Sequence, residues 1–262
     1  MEETMISAKP TENLTGVTVE GCFDDFYELT DSIYRMTGLE ESYDDIYWSV
    51  KNRLLAVCYD IRHAYMGDRE VKLVDNGVHD EMMKWHSMIL PKQEVHFSVN
   101  LLFPEAVFVA FSVSELYLWS RRGYGQRSKK QGAASEFPPL KYADYVRDTA
   151  VIDTLSAAIL EALAEVIGDD EFEKLCKLKE NQYRNLFSRY AAQYVDKCNL
   201  EYLKTIPEKR KDKLRNIARR FINQPAAYRN MKLDLEYAAK QYGCSIHELH
   251  DPRLEYPEEI VW

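Results

Sequence analysis

The feature that most constrains the fold is a strand-like segment that runs directly into the most apolar stretch of the chain. In residues 94–103, apolar and polar side chains alternate, which is the period-two pattern of a strand with one buried face. Pro104 then begins a helix at a position that tolerates proline. Residues 106–119 follow with one charged residue, Glu115. A membrane-spanning helix needs about 20 apolar residues, so this shorter stretch predicts a helix buried in a protein core.

Two further strands and several helices are predicted around this unit. Val17 and Val19 alternate with polar residues in residues 16–21, and residues 70–74 form a second strand-like run. Residues 44–65 place apolar side chains three and four apart, the spacing of an amphipathic helix. We therefore expect a three-stranded N-terminal sheet with three or four helices.

The rest of the chain is predicted to be helical. Residues 122–139 combine Gly, Ser, Lys and Pro without periodicity, which is typical of a linker. Beyond them, helices are predicted over residues 141–167 and 171–199, from just after Pro207 to Asn223, and as two short helices within residues 231–249. The predicted organisation is a polar tail (residues 1–15), an α+β domain (16–121), a linker loop (122–139) and a helical domain (140–262), with the two domains able to pack as one body.

Charge and cysteine content limit the classes of partner. The net charge is −9, and residues 1–150 contribute −8 of it through 24 acidic and 16 basic residues. An acidic chain is not typical of non-specific nucleic-acid or membrane binding. Five widely spaced Cys do not predict a disulfide framework, and the N-terminus lacks the pattern of a signal peptide. We expect a soluble cytoplasmic protein that does not associate with membranes.

The densest group of polar residues lies at residues 60–72, where a helix, a tight turn and a strand meet. Such junctions hold side chains on a fixed backbone. Five residues here are candidates for catalysis by a metal-dependent hydrolase of the nuclease type: Asp60, His63, Asp68, Glu70 and Lys72. Three are candidates for binding a phosphate or carboxylate: Arg62, His63 and Arg69. The alternative is that these charges pair with one another and only fasten the helix to the sheet.

A second candidate region is basic. Its nucleic-acid-binding candidates are Lys209, Arg210, Lys211, Lys213, Arg215, Arg219 and Arg220. Downstream, Gly243 and Ser245 occur in a pattern that resembles the turn of helix-turn-helix domains. The segment that would read bases is short and carries Glu248 and Asp251, so a helical hairpin with a solvated basic face is the stronger interpretation.

Metal and cofactor sites are not predicted. Cys244, His247 and His250 are spaced by three, as zinc ligands on one helical face could be, but a structural zinc site usually needs four ligands. The chain lacks the common phosphate-loop, nucleophile-elbow and metalloprotease motifs. We expect no cofactor and no metal, and the sequence leaves open whether the protein is an enzyme.

Three segments resemble an uncharacterised bacterial domain family of unknown function. They are Gly21-Cys22-Phe23-Asp24-Asp25-Phe26-Tyr27, the run from Val57 to Arg69 and Val74-Asp75-Asn76-Gly77. The resemblance covers roughly residues 14–125 and leaves the helical second half outside it. It implies a bacterial or phage setting and assigns no catalytic role to any residue.

The function that the sequence favours is a non-catalytic interaction or regulatory protein that acts through contacts with another protein or with itself. Catalytic signatures are absent, and the chain is rich in Tyr, with 18. Two alternatives stay open: a metal-dependent hydrolase at residues 60–72 and a DNA-binding regulator that uses the C-terminal helices.

Overall fold

The computed structural model describes residues 6–38, 46–130, 140–182 and 185–262. Its strands are β1 (Ser7–Pro10), β2 (Gly16–Cys22), β3 (Glu70–Asp75) and β4 (Gln93–Leu102). Within the described residues they form one antiparallel sheet in the order β1-β2-β4-β3. All four strands precede residue 103, so the α+β class with a small N-terminal sheet and a helical C-terminal region is confirmed.

The predicted number of three strands is wrong, because residues 7–10 form an additional edge strand. Ala8 lies opposite Val19, and Pro10 lies opposite Val17. Proline has no N–H to donate, and an edge strand tolerates this because one of its sides has no neighbouring strand. The segment is too short and polar to show a strand pattern of its own, and its pairing with β2 defines it.

The two faces of the sheet differ as the alternation in β2 and β4 predicts. Val19 and Val99 face each other across the two strands and are buried in the core. On the opposite face, the Thr18 hydroxyl donates a hydrogen bond of 2.6 Å to Asn100 Oδ1. The helices therefore cover the apolar face, and the polar face carries side-chain hydrogen bonds.

The helices of the described residues are α1 (Phe23–Thr37), α2 (Trp48–His63), α3 (Asp80–Trp85), α4 (Phe103–Lys130), α5 (Tyr142–Ile167), α6 (Asp169–Glu180), α7 (Gln193–Leu203), α8 (Pro207–Asn223) and α9 (Ala226–Tyr242). Among them, α4 is central and contacts α1, α2, α5, α7 and α8. A π turn (Ala64–Asp68) follows α2, and Gly67 within it has φ 89°, a conformation that glycine adopts without strain. None of these helices is both long and apolar enough to cross a bilayer.

Helix α4 begins where the sequence predicts but extends further. Pro104 lies in its first turn, and the helix continues to Lys130 instead of ending near Arg121. Residues 122–130 of the predicted linker are therefore helical, and residues 131–139 lie outside the described residues. The division into separately folding domains stays a prediction.

The single helix predicted for residues 171–199 is wrong, because residues 185–192, between α6 and α7, are not helical. The Phe187 N–H donates to Glu115 Oε2 at 3.1 Å, and the Arg189 N–H donates to the Ile46 carbonyl at 2.6 Å. Both partners are distant in sequence. Tertiary hydrogen bonds thus fix a backbone path that the local apolar pattern does not reveal.

Buried side chains from both predicted domains belong to one hydrophobic cluster. Phe108 of α4 contacts Phe187, Tyr190 and Phe221, with ring centroids 5.5, 4.9 and 5.5 Å away. These distances lie in the range of favourable aromatic pairs. The apolar helix that follows the sheet is therefore the centre of a core shared with the C-terminal helices.

A buried ion pair also joins the two predicted domains. Arg35 of α1 donates from Nε and Nη2 to the Asp148 carboxylate of α5, at distances of 2.6 to 3.1 Å. Asp148 is fully buried, and the Tyr124 hydroxyl donates to it at 2.6 Å. A buried carboxylate is stable only with such partners, so the packing of α1 against α5 depends on this pair.

Candidate functional site

A cavity of about 560 Å³ lies beside the first residue of β3, where β4 continues toward α4 without a β3 partner. The last residue pair of β3 and β4 is Glu70 with Ser98, whereas β4 extends to Leu102. The other walls are α2, the first turn of α4, α7 and residues 256–262. We call this cavity the β4 cleft. Its volume falls within the roughly 300–1,000 Å³ that ligand sites occupy.

The floor of the β4 cleft is built on Arg53, which bridges two carboxylates from other helices. Its Nη1 donates to Glu105 Oε2 at 3.0 Å, and its Nη2 donates to Asp196 Oδ2 at 2.5 Å. The Arg53 and Glu105 side chains are each 13% exposed. Because buried charges must be paired to be tolerated, this triad fixes α2, α4 and α7 relative to one another.

Asn199 and Tyr256 extend the same network. Asn199 Nδ2 donates to Glu105 Oε2 and to the Tyr256 hydroxyl oxygen, each at 2.9 Å. The Tyr256 hydroxyl in turn donates to Asp196 Oδ1 at 2.8 Å. The network therefore reaches from the buried floor of the cleft to a residue of its outer wall.

That outer wall, residues 256–262, is held against the sheet. The Thr15 hydroxyl donates to the Val261 carbonyl at 2.6 Å, and Asn13 Nδ2 donates to the Trp262 carbonyl at 2.7 Å. A Cβ atom at Gly16 would lie 2.9 Å from the Trp262 ring, so the glycine permits this close approach. The cleft thus has a fixed wall on its C-terminal side.

Three polar atoms at the floor have unused hydrogen-bonding capacity. Arg53 Nε, Glu105 Oε1 and Asn199 Oδ1 are buried without a partner among the described residues. Most buried polar atoms in proteins are hydrogen-bonded. Burial raises the pKa of Glu105, while Arg53 and Asn199 act to lower it. Perturbed acids and unsatisfied atoms beside a cavity are characteristic of functional sites.

The β4 cleft is acidic. Its lining contains four carboxylates and two guanidinium groups, a formal net charge of −2. The carboxylates are Asp60, Glu70, Glu105 and Asp196, and the guanidinium groups are Arg53 and Arg69. Asp60 and Glu70 are the more exposed acids, at 38% and 74%. Together with Arg69, which is 44% exposed, they give the solvent side of the cleft a formal charge of −1.

Inside the cleft, β4 continues beyond its last residue pair with β3. The Phe103 N–H points toward β2, where it donates to the Thr15 carbonyl, and the Lys92 carbonyl points toward β3, where it accepts from Asn76. Backbone groups alternate along a strand, so even-numbered residues of β4 face the β3 side. The N–H and C=O of Asn100 consequently face the cleft, beyond the last pair formed by β3.

Three of the residues predicted as site residues line the β4 cleft: Asp60, Arg69 and Glu70. Arg69 Nη2 lies 3.4 Å from Asp60 Oδ1, a weak contact between exposed groups. The polar junction predicted at residues 60–72 is thus partly at a cavity and partly outside it. The three residues lie at the cleft's solvent side and do not reach the buried network at its floor.

Two other predicted residues form a pair outside the cleft, and a third turns toward α1. His63 Nδ1 lies 2.7 Å from Asp68 Oδ2, so the π turn is linked back to the end of α2. Arg62 Nη1 donates to the Tyr34 hydroxyl oxygen at 3.4 Å. His63, Asp68 and Arg62 therefore do not converge with Asp60 and Glu70 in one site.

Lys72 lies on the polar face of the sheet, away from the cleft. Its Nζ is 3.5 Å from Glu20 Oε2 and 3.6 Å from Glu70 Oε2. In the part of the chain that the structure describes, no group of three His, Cys, Asp or Glu side chains is close enough to hold a metal ion. Lys72 and Glu70 are neighbours, but the described residues do not surround them with the ligands that a metal-dependent nuclease uses.

The basic residues of α8 are mostly tied to other parts of the chain. Arg210 is buried, and its Nη1 donates to the Asn13 carbonyl at 2.6 Å and to Thr15 Oγ1 at 2.5 Å. Four others form ion pairs: Lys213–Glu201, Arg220–Glu201, Arg215–Glu171 and Arg219–Glu171, with N–O distances of 2.9, 3.0, 3.9 and 2.8 Å. Lys209 and Lys211 are exposed. Most of these charges thus already have carboxylate or carbonyl partners.

The two short helices predicted within residues 231–249 are wrong. Residues 226–242 form the single helix α9, and Gly243 ends it at φ 66°. A turn at residues 246–248 follows, closed by the Ser245 N–H donating to Glu248 Oε2 at 2.7 Å. A turn therefore stands where a helix-turn-helix would have its second helix. The chain then runs to the wall of the β4 cleft.

His247, considered above as a zinc ligand, packs against α2. Its ring stacks on Trp48 with centroids 4.5 Å apart, and its Nδ1 lies 3.4 Å from Ser49 Oγ. Burial lowers the pKa of His247 to about 4, and Arg189 and Lys232 add to the effect. The imidazole is therefore neutral and acts as a packing group between α2 and the C-terminal segment.

The network residues Arg53, Glu105, Asp196, Asn199 and Tyr256 were not predicted as site residues. They come from four separate segments, and no local motif relates them. One signal was present: Glu105 directly precedes the most apolar stretch of the chain, residues 106–119. Charged residues at such positions are buried only when paired, so each one indicates a partner elsewhere.

Comparison with known proteins identifies one family. A family model described as Domain of unknown function (DUF6904) matches residues 6–262. The predicted resemblance to an uncharacterised domain family is confirmed, and its extent is corrected, since the match includes the helical C-terminal region as well as residues 14–125. No curated protein and no solved structure matches the chain.

Proposed function

The chain belongs to the DUF6904 family, a domain of unknown function, and we propose that it is a protein-interaction module. Its β4 cleft binds an extended, basic segment of a partner protein as an added strand beside β4. The observation that carries the proposal is that the Asn100 backbone groups face the acidic, walled β4 cleft beyond the last pair formed by β3. This proposal extends the protein–protein function that the sequence favours.

The shape of the cleft favours an extended peptide. Residues 99–102 of β4 extend beyond Glu70, the first residue of β3, and four strand residues span about 13 Å. A peptide that continues the line of β3 exchanges backbone hydrogen bonds with Asn100. This is strand addition, in which main-chain bonds supply affinity and alternate side chains supply specificity.

The chemistry of the lining favours lysine or arginine in that peptide. The exposed carboxylates of Asp60 and Glu70 are acceptors, and the formal net charge of the lining is −2. A cationic side chain donates charge-assisted hydrogen bonds to such groups. Ile260 and Trp262 add apolar surface, which suits apolar residues between the basic ones.

The same electrostatics disfavours nucleic acid at this cleft. Carboxylates at its mouth repel phosphates, and affinity for DNA or RNA depends on neutralising phosphates with basic side chains. The DNA-binding and hydrolase alternatives stay predictions. For the hydrolase, metal-dependent cleavage by the wild type would be compared with Glu70→Ala and Lys72→Ala.

The proposal is tested with short synthetic peptides in which lysine alternates with valine, titrated into the protein by calorimetry. Matched peptides in which glutamate replaces lysine serve as the charge control. We expect binding of the lysine peptides and no binding of the glutamate peptides. Equal affinity for both sets would contradict the role of the acidic lining.

A blocking variant tests the location. Ala56 is exposed and lines the cleft, so Ala56→Trp fills the cavity without removing a buried contact. Asn52→Trp, one turn earlier on α2 and equally exposed, is the matched control. We expect Ala56→Trp to abolish peptide binding and Asn52→Trp to preserve it. Unchanged binding in Ala56→Trp would place the peptide elsewhere.

A further inference from the structure

The outer side of β3 is an open sheet edge. Strand β3 pairs with β4 on one side, and within the described residues no strand lies along the other. The Asn76 N–H donates to the Lys92 carbonyl of the β4 side, so even-numbered residues of β3 point their backbone groups inward. The N–H and C=O groups of Val71 and Leu73 consequently point outward.

The side chains of this edge are apolar on one face and oppositely charged on the other. Val71 and Leu73 are 53% and 66% exposed, although they share the face of the sheet that is buried elsewhere. On the opposite face, Glu70 and Lys72 are two residues apart. Proteins normally protect such an edge with charges, bulges or a covering element.

The connection from β3 to β4 enlarges this apolar surface. Residues 76–92 form an arm that carries α3, and the Trp85 and Ile89 side chains on it are 84% and 96% exposed. Exposed apolar clusters of this kind mark contact surfaces on soluble proteins. The edge strand and the arm together offer more buried area than the strand alone.

We propose that a second copy of this chain pairs with this edge, β3 against β3 in antiparallel orientation, with Val71 on the two-fold axis. In this register each Glu70 lies opposite the partner's Lys72, so two complementary pairs form at once. Pairing centred on Lys72 would instead place the two lysines opposite each other, which is destabilising. Self-complementary charge therefore selects both the occupant and the register.

Charge reversal tests the pairing, with sedimentation used to measure the dimer dissociation constant. Lys72→Glu places two carboxylates opposite each other at two symmetric positions, and we expect dimerisation to weaken about tenfold. Glu70→Lys does the same with lysines. The double variant Glu70→Lys/Lys72→Glu restores complementarity and should return the dimer to near wild-type strength. A wild type that stays monomeric up to its solubility limit would overturn the proposal.

Cysteine cross-linking tests the register and does not depend on the peptide-binding proposal. Val71→Cys faces its own copy across the axis as a hydrogen-bonded pair about 5.5 Å apart in Cα, a separation that suits a disulfide. Leu73→Cys, which faces the partner's Arg69, is the matched control. We expect mild oxidation to give a dimer joined at Val71→Cys, identified by mass spectrometry, and none at Leu73→Cys. Cross-linking at Leu73→Cys alone, or at neither position, would overturn the register.

Discussion

Arg53 Nη1 lies 3.0 Å from Glu105 Oε2, and this contact joins α2 to α4 at the floor of the β4 cleft. The same guanidinium holds Asp196 of α7. A single cation thus positions two acids that come from helices far apart in sequence. The positions of these two acids at the floor of the cleft therefore have one structural origin.

Removing that cation should cost more stability than removing one of its partners. Arg53→Met leaves Glu105 and Asp196 facing each other without a counter-charge, and we expect a loss of about 3 kcal/mol in the free energy of unfolding. Glu105→Gln removes one charge and leaves Arg53 paired with Asp196, so the expected loss is about 1 kcal/mol. Urea unfolding measures both, and a larger loss for Glu105→Gln would contradict this ranking.

The Arg35–Asp148 pair offers a second stability test with an internal control. Asp148→Asn removes the buried carboxylate charge that accepts from Arg35 Nε and Nη2, and we expect a loss of about 3 kcal/mol. Asp31 also pairs with Arg35 but is 51% exposed, so Asp31→Asn should cost less than about 1 kcal/mol. Similar losses for the two variants in urea unfolding would show that burial does not determine how much an ion pair of Arg35 contributes to the free energy of unfolding.

The shared core predicts one cooperative unfolding transition. Phe108, Phe187 and Phe221 pack together across the predicted domain boundary, so neither half retains its full core if the other unfolds. Far-UV and near-UV circular dichroism should report the same midpoint on heating. Two separated transitions would instead support the division into independent domains at residues 122–139.

His247 should make the protein less stable in mild acid. Its pKa is about 4 in the folded protein against an ordinary value of 6.5, so the unfolded chain binds the extra proton between these values. Stability then falls as the pH drops from about 6.5 to about 4, by up to about 3 kcal/mol.

His247→Phe keeps an aromatic ring against Trp48 and removes this titration. We expect urea unfolding of the variant to show a flatter pH dependence in this window than the wild type. His86→Gln, on the exposed arm, is the control for the loss of a histidine. An unchanged pH profile in His247→Phe would show that His247 does not cause the acid sensitivity.

The elements predicted well are those whose pattern is set by burial on one side. The alternation around Val99 predicted β4, and the helical spacing of Val50, Leu54 and Ile61 predicted the buried face of α2. Pro207 fixed the start of α8 because proline fits the first turn of a helix. In these segments the local sequence and the tertiary packing agree.

The failures occur where distant partners decide the structure. The break between α6 and α7 depends on hydrogen bonds to Glu115 and Ile46, and β1 depends on pairing with β2. The β4 cleft combines Arg53, Glu105 and Asn199 from three helices, so no spacing in the sequence relates them. Residues 60–72 form a junction of helix, turn and strand, as the sequence predicts. Which of them line the cleft depends on the direction of each side chain, and the sequence does not give that direction.

The most direct test of peptide binding is amide hydrogen exchange at Asn100, measured with and without the lysine–valine peptide. If the peptide adds as a strand beside β4, the Asn100 N–H becomes a donor in a new ladder and its exchange slows markedly. The Leu73 amide, on the outward edge of β3, should be unaffected when the dimer is held at the same concentration. A peptide that binds while exchange at Asn100 stays unchanged would contradict strand addition at the β4 cleft.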